Sequence, residues 1–311
     1  MTKLRTVKAG ETIGIASTGS PVAPECFHAG IEAIHKLGFK TKIPFDPSAY
    51  YGKSDYGFAS ESKETRARAF MELIEDESVA AIIAARGGYG TISVLPLLDY
   101  QAIARGGKLV VGYSDVTVLI AAISNRANIP TLHGPTISAE FARYADCSYA
   151  KESVDTLIAM MQDPQLRLQY PCEVIRDGEA VGKILAGNLT MLTTLLGTPW
   201  DLSYDGAILA LEDVGEAPYR VHRALMQLKL AGKLRNLAGV VFGRFYNCQS
   251  SCGWSVEDVM HKSSRDIFDE ANFPIYYRLE FGHAGKNLPL PLGCRARMWD
   301  GQLSMLDAII R

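Results

Sequence analysis

The chain alternates short apolar runs with longer stretches of helical character. Thr12–Ala16, Lys40–Ile43, Val79–Ala85, Leu109–Val111 and Pro130–Leu132 read as short, largely buried strands. Between them lie three helical segments: Pro24–Leu37 closed by Gly38, the amphipathic Lys63–Asp76, and Val116–Ile123, which contains no breaker. Strands alternating with helices through this half predict a doubly wound α/β layer, a parallel sheet covered on both faces. Three small-residue loops follow strand ends: Ser17-Thr18-Gly19-Ser20-Pro21, Arg86-Gly87-Gly88-Tyr89-Gly90 and His133-Gly134-Pro135-Thr136. Sites in such a sheet gather at the carboxyl ends of its strands.

The rhythm changes in the second half. A helix near Lys151–Met161 leads to Asp163-Pro164 and then to mixed strands. Beyond Gly182 come a strand ending at Gly187-Asn188, a helix over Leu189–Leu196, and the apolar run Gly206–Asp213, which ends in two carboxylates. A helix over Tyr219–Leu230, a strand over Leu237–Gly243 and a helix near Ser255–Asp269 follow. Pro274–Leu279 then runs into Glu280-Phe281-Gly282-His283-Ala284-Gly285. Strand patterns around Cys294–Met298 and Gln302–Leu306 suggest a small barrel or closed sheet. The expected division is a doubly wound domain over residues 1–148, a linker region over 149–178 and a barrel-like α/β domain over 179–311.

Composition narrows the function without naming it. The 311 residues are 48 % hydrophobic and 21 % charged, with a net charge of −2, which allows two ordinary globular cores. There is no basic run for nucleic acid and no apolar run of transmembrane length. The first ten residues are too polar for a secretory signal. Six scattered cysteines, with Cys248 and Cys252 the only close pair, give neither a zinc set nor a disulfide framework. A reducing cytoplasm is the expectation.

The chemistry centres on Gly112-Tyr113-Ser114-Asp115-Val116, where a buried strand turns abruptly into a helix. A serine there can be a nucleophile on an elbow, beside unpaired N–H groups that favour negative charge. It can equally be a helix N-cap. The match to G-x-S-x-G is imperfect, since Val116 stands where the second glycine would be. A hydroxyl needs a base, and an imidazole oriented by a carboxylate supplies one. His283, between glycines after a strand, and Glu212, at the end of an apolar strand, fill those roles. His133 competes for the base role, whereas His28, His35, His222 and His261 suit packing or surface positions. The Gly-rich 86–90 loop could supply oxyanion donors. The dinucleotide and P-loop spacings are absent and the histidines show no metal-ligand spacing, so neither cofactor nor metal is expected.

Six motifs in one order carry a resemblance. Arg86-Gly-Gly-Tyr-Gly, Gly112-Tyr-Ser-Asp, His133-Gly-Pro, Gly187-Asn-Leu, Leu211-Glu-Asp-Val-Gly-Glu with Pro218-Tyr-Arg, and Phe281-Gly-His together resemble the serine LD-carboxypeptidase family, which includes murein tetrapeptide carboxypeptidases and microcin C self-immunity peptidases. The resemblance implies a flavodoxin- or Rossmann-like N-terminal sheet carrying the nucleophile and a β-barrel-like (swivelling) C-terminal domain carrying acid and base. It places the nucleophile at Ser114, the acid at Glu212 with Glu216 as second choice, and the base at His283. Oxyanion donors would be the N–H groups of Gly87, Gly88 and Asp115. Arg86, Tyr113 and Asn188 would meet substrate, Arg86 through its fork onto a carboxylate. The implied reaction removes terminal D-Ala from a peptidoglycan tetrapeptide, in a cytoplasmic homodimer that recycles cell-wall peptides. The alternatives are a microcin-type peptidase acting on an aminoacyl-nucleotide, with Trp200, Trp254 or the Tyr50/Tyr51 loop as aromatic platform, and a non-catalytic peptide-binding protein.

Overall fold

The structure, a computed structural model, describes residues 3–47, 57–249, 253, 255–269 and 271–311. The Tyr50/Tyr51 loop, Cys252 and Trp254 lie outside the described residues. The first half runs β1 (Thr12–Ala16), α1 (Pro24–Lys36), β2 (Lys40–Lys42), α2 (Lys63–Glu75), β3 (Val79–Ala84), α3 (Tyr100–Gly106), β4 (Leu109–Gly112), α4 (Thr117–Arg126) and β5 (Thr131–His133). These strands form a parallel sheet in the order β5-β4-β3-β1-β2. Every residue of β3 and β4 is buried, as the continuous apolar runs require when helices cover both faces.

The second half begins with α5 (Ser148–Gln162), β6 (Gln169–Pro171), β7 (Glu173–Arg176), β8 (Ala180–Asn188), α6 (Leu189–Thr194), β9 (Ala207–Val214) and α7 (Pro218–Leu230). It continues through β10 (Gly239–Tyr246), α8 (Val256–Asp266), β11 (Ile275–Tyr277), β12 (Leu290–Leu292), β13 (Arg295–Trp299) and β14 (Gln302–Met305). Eight of these strands form a second sheet in the order β6-β14-β13-β8-β9-β10-β11-β7. Its two edge strands, β6 and β7, are neighbours in sequence, joined only by Cys172. One bent segment therefore pairs with β14 at one edge and with β11 at the other, which closes the sheet into a barrel.

The two halves are interlocked. β12 leaves the barrel and pairs antiparallel with β5 on the first sheet, setting Leu290 opposite His133. α4 is the other link. Eight of its residues are buried, because it is packed against the first sheet on one side and against β8 and α6 on the other. Gly187 at the end of β8 passes so close to it that an added Cβ would sit 2.3 Å from Thr117 Cγ2. The Ser114 turn that launches α4 thus faces the barrel directly.

Candidate active site

β4 ends at Gly112, and the chain then turns through a 3-10 stretch, Ser114–Val116, before α4 begins. Ser114 has φ +62°, a left-handed conformation that costs a non-glycine residue on the order of 1 kcal/mol or more. Tyr113, not Ser114, occupies the cap position of that turn, so the N-cap reading of Ser114 does not describe this structure. The missing second glycine of the elbow is also explained. The bulk of Val116 is accepted because Gly112 has no side chain: a Cβ there would lie 2.7 Å from Val116 Cγ1.

The Arg86–Gly90 loop, at the end of β3, lies beside this elbow. A Cβ on Gly87 would meet Ser114 Cβ at 2.7 Å and Oγ at 3.0 Å, so only glycine lets the loop approach so closely. Gly88 has φ +103°, and a Cβ there would strike Ser20 Oγ at 2.3 Å. The loop is fixed by Ser20 N donating to Gly87 O (3.1 Å) and Tyr89 N donating to Ser20 Oγ (2.9 Å). Asp115 is buried and its Oδ2 accepts from Thr91 N at 2.9 Å, which ties the elbow to the same loop. Among the described residues, the N–H groups of Gly87, Gly88 and Asp115 donate to no protein acceptor.

His283 is presented by the barrel half, on the turn after Phe281. Its Nδ1 is 2.6 Å from Glu212 Oε2 on β9, and its backbone N donates to the same oxygen at 3.3 Å. A carboxylate only accepts, so the ring proton sits on Nδ1 and Nε2 is left as a base. Gly282 has φ +96° and passes over Glu212, where a Cβ would lie 2.5 Å from Oε2. Burial disfavours the charged imidazole, but the Glu212 carboxylate outweighs it, with Asp213 and Glu140 adding to the effect. The His283 pKa is raised above its ordinary 6.5.

Ser114 and His283 line one pocket of about 290 Å³, together with Arg86, Gly87, Gly88 and Tyr113. Ser114 Oγ is not hydrogen-bonded to the imidazole among the described residues. Such bonds are commonly long before substrate arrives. The rival base, His133, is fully buried against the rings of Tyr113 (5.7 Å) and Phe281 (5.0 Å), and among the described residues neither of its nitrogens has a partner. Burial, with the nearby His283 adding to it, drives its pKa down to about 3.

The other sequence candidates divide. Arg86 lines the pocket and donates through Nη1 to Pro21 O at 2.9 Å. Tyr113 also lines it, with its ring 4.9 Å from that of His283. Asn188 is buried away from the pocket lining. Its Oδ1 caps α6 by accepting from Met191 N at 3.1 Å, and its Nδ2 donates to Asp213 Oδ1 at 2.8 Å. That arrangement engages both amide atoms in building the barrel rim. Glu216 lies 3.6 Å from Arg220 and makes no bond to the imidazole among the described residues. Trp200 packs on Arg126, 5.4 Å from its ring, outside the pocket. Two residues that sequence reasoning passed over, Glu140 and Asn287, are buried behind the pocket and hydrogen-bonded to each other at 3.2 Å. No motif marks either one. Among the described residues no His/Cys/Asp/Glu group has metal-site geometry, and no helix is long and apolar enough to cross a membrane.

A strained serine facing a carboxylate-held imidazole across two halves of a chain defines a class. Residues 13–134 match the LD-carboxypeptidase N-terminal domain and residues 181–298 the LD-carboxypeptidase C-terminal domain. The chain belongs to this family and is a serine carboxypeptidase. It is 29 % identical to a probable murein peptide carboxypeptidase of Bacillus subtilis, over 95 % of this chain and 91 % of that protein. It is 26 % identical to the microcin C7 self-immunity protein MccF of Escherichia coli, over 92 % of this chain and 90 % of that one. The crystal structure of a muramoyltetrapeptide carboxypeptidase from Oxalobacter formigenes superposes with a TM-score of 0.81 at 29 % identity, covering 94 % of this chain and 98 % of that one. The two-domain α/β fold expected from the motifs is the fold observed.

Proposed function

We propose that this protein removes the terminal D-Ala from murein tetrapeptides, cutting the bond to the L-centre of the diamino acid, with Ser114 as nucleophile, His283 as base and Glu212 as the acid that orients it. The observation that carries the reading is the Glu212–His283 pair at 2.6 Å, opening on the same pocket as a serine held at φ +62°. In the forward half-reaction Ser114 Oγ attacks the carbonyl carbon and its proton passes to His283 Nε2. Glu212 stabilises the imidazolium. The oxyanion would be met by the unpaired N–H groups of Gly87, Gly88 and Asp115. His283 returns the proton to the D-Ala amine as the C–N bond breaks. Water then repeats the cycle on the ester and frees Ser114.

Arg86 lines the pocket and gives one guanidinium bond to Pro21 O; its proposed role is to fork onto the terminal carboxylate that defines a carboxypeptidase substrate. The relatives named for murein peptides support the substrate class. The proposed setting is cytoplasmic recycling of cell-wall peptides by a homodimer.

The test is mass spectrometry of a murein tetrapeptide incubated with the protein, beside an acylated aminoacyl-adenylate. Release of D-Ala by the wild type and none by Ser114→Ala supports the reading. Cleavage of the adenylate alone would move the protein to the microcin type. An unchanged pair of substrates would leave a binding protein.

A further inference from the structure

The nucleophile and the base come from different halves of the chain, and one buried carboxylate touches the supports of both. Glu140 is 3 % exposed. Its Oε2 accepts from Thr136 N at 3.0 Å and its Oε1 accepts from Asn287 Nδ2 at 3.2 Å. The phenol of Tyr113, the residue immediately before Ser114, faces the same carboxylate, which adds to the burial that raises the phenol's pKa. Asn287 is fully buried, and its Oδ1 accepts from the N–H of Gly282, the residue immediately before His283, at 2.9 Å. Its own N–H donates to Ser153 Oγ at 2.9 Å. A run of hydrogen bonds therefore leads from Thr136 through Glu140 and Asn287 to Gly282, next to His283, behind the pocket and independent of Glu212, and Tyr113 faces it on the Ser114 side.

A buried carboxylate is costly unless its oxygens are well bonded, and among the described residues Glu140 has no ion-pair partner. An apolar residue would stabilise the fold at least as well. What Glu140 supplies that an apolar residue would not is direction. It fixes the elbow side and the His283 turn against a single point, and errors of about 1 Å in such an approach cost roughly 100-fold in rate.

We propose that Glu140 is a positioning residue for the carboxypeptidase reaction, setting the approach of His283 to Ser114 by anchoring Thr136, which lines the pocket beside Tyr113, on one side and Asn287 on the other. The inference rests on the assignment of Ser114 and His283 given above. Glu140 also acts on His283 through charge. The titratable groups facing that imidazole are Glu212 and Asp213 from β9, Glu140, His133 from β5, and Tyr113. Glu140 is one of the three carboxylates that favour its protonated form.

The test compares Glu140→Gln, Tyr113→Phe and Asn287→Ser on a murein tetrapeptide ending in D-Ala, with the His283 imidazole titrated by NMR in each. Each variant lowers kcat by about 10- to 100-fold while KM stays within about two-fold. Glu140→Gln alone moves the acid limb of kcat/KM and the His283 midpoint to lower pH, because a negative charge facing the imidazole is gone. The double variant with Tyr113→Phe is no slower than Glu140→Gln, since both act through one carboxylate. Tyr113→Phe keeps its ring and its packing, so it reads the effect even if Glu140→Gln folds poorly. Wild-type kcat in Tyr113→Phe and Asn287→Ser, with an unmoved His283 midpoint in Glu140→Gln, overturns the proposal. If Ser114→Ala is inactive alongside that result, the site assignment survives and only the positioning role falls. Turnover by Ser114→Ala would overturn the assignment itself.

Discussion

Two histidines pack against the Tyr113 ring, and the structure treats them in opposite ways. His133 ends β5, at the carboxyl edge of the parallel sheet where active groups are expected, yet among the described residues it has no hydrogen-bond partner, and burial holds it neutral down to about pH 3. His283 comes from a turn of the barrel, is itself mostly buried, and has its pKa raised. Burial acts on both in the same direction. The difference is the Glu212 carboxylate at 2.6 Å, which only His283 possesses. Position at a strand end makes a histidine available to a site, but a bonded carboxylate makes it a base.

The sharpest way to break this contrast is to remove the carboxylate's charge. Glu212→Gln is expected to lower kcat by about 10⁴-fold, because the amide no longer stabilises the imidazolium or fixes its tautomer. Steady-state kinetics on a murein tetrapeptide checks it; a loss under tenfold would mean that Glu212 only packs. Next is the elbow that His283 serves. Gly87→Ala puts a methyl 2.7 Å from Ser114 Cβ, so kcat should fall roughly 100-fold with little change in the melting temperature.

The two histidines should also carry opposite pH signatures. The raised folded pKa of His283 means that its stabilising contribution is present below the unfolded value of 6.5 and is lost as pH rises through the folded value. The base function proposed for it needs the neutral ring, so kcat/KM should rise with pH along a limb whose midpoint lies above 6.5. For His133 the folded pKa is depressed, so its contribution is present above 6.5 and is lost as pH falls toward 3. Denaturant titrations of His133→Phe between those limits should show a shallower acid decline than the wild type. A smaller effect still is expected at the rim of the His283 turn. Lys286–Glu152 is a partly exposed pair at 2.7 Å, and Lys286→Ala should cost less than about 1 kcal/mol by the same titrations.

Much of this arrangement was legible in the sequence because it is local. Apolar runs gave β3 and β4 with both faces covered, and the strand-to-helix junction gave the Ser114 turn. The Leu-Glu-Asp and Gly-His motifs drew attention to Glu212 and His283. What was not legible depends on chain segments far apart in sequence. Leu290–Leu292 is too short and proline-bearing to announce a strand, and its partner is 157 positions away at His133. The bend at Cys172, which lets one segment cover both barrel edges, has no local signal. Asn188 follows a glycine in a family motif, but its amide is used up by the α6 cap and Asp213. Glu140 and Asn287 are an ordinary acid and an ordinary amide until the fold joins them across 147 residues.

The central claim is that His283, and not His133, is the base. The most direct measurement is kcat/KM for His283→Phe and His133→Phe, side by side on the same tetrapeptide. The account predicts a loss of about 10⁴-fold or more for His283→Phe and less than about tenfold for His133→Phe. Comparable losses in the two, or the larger loss at His133, would contradict it.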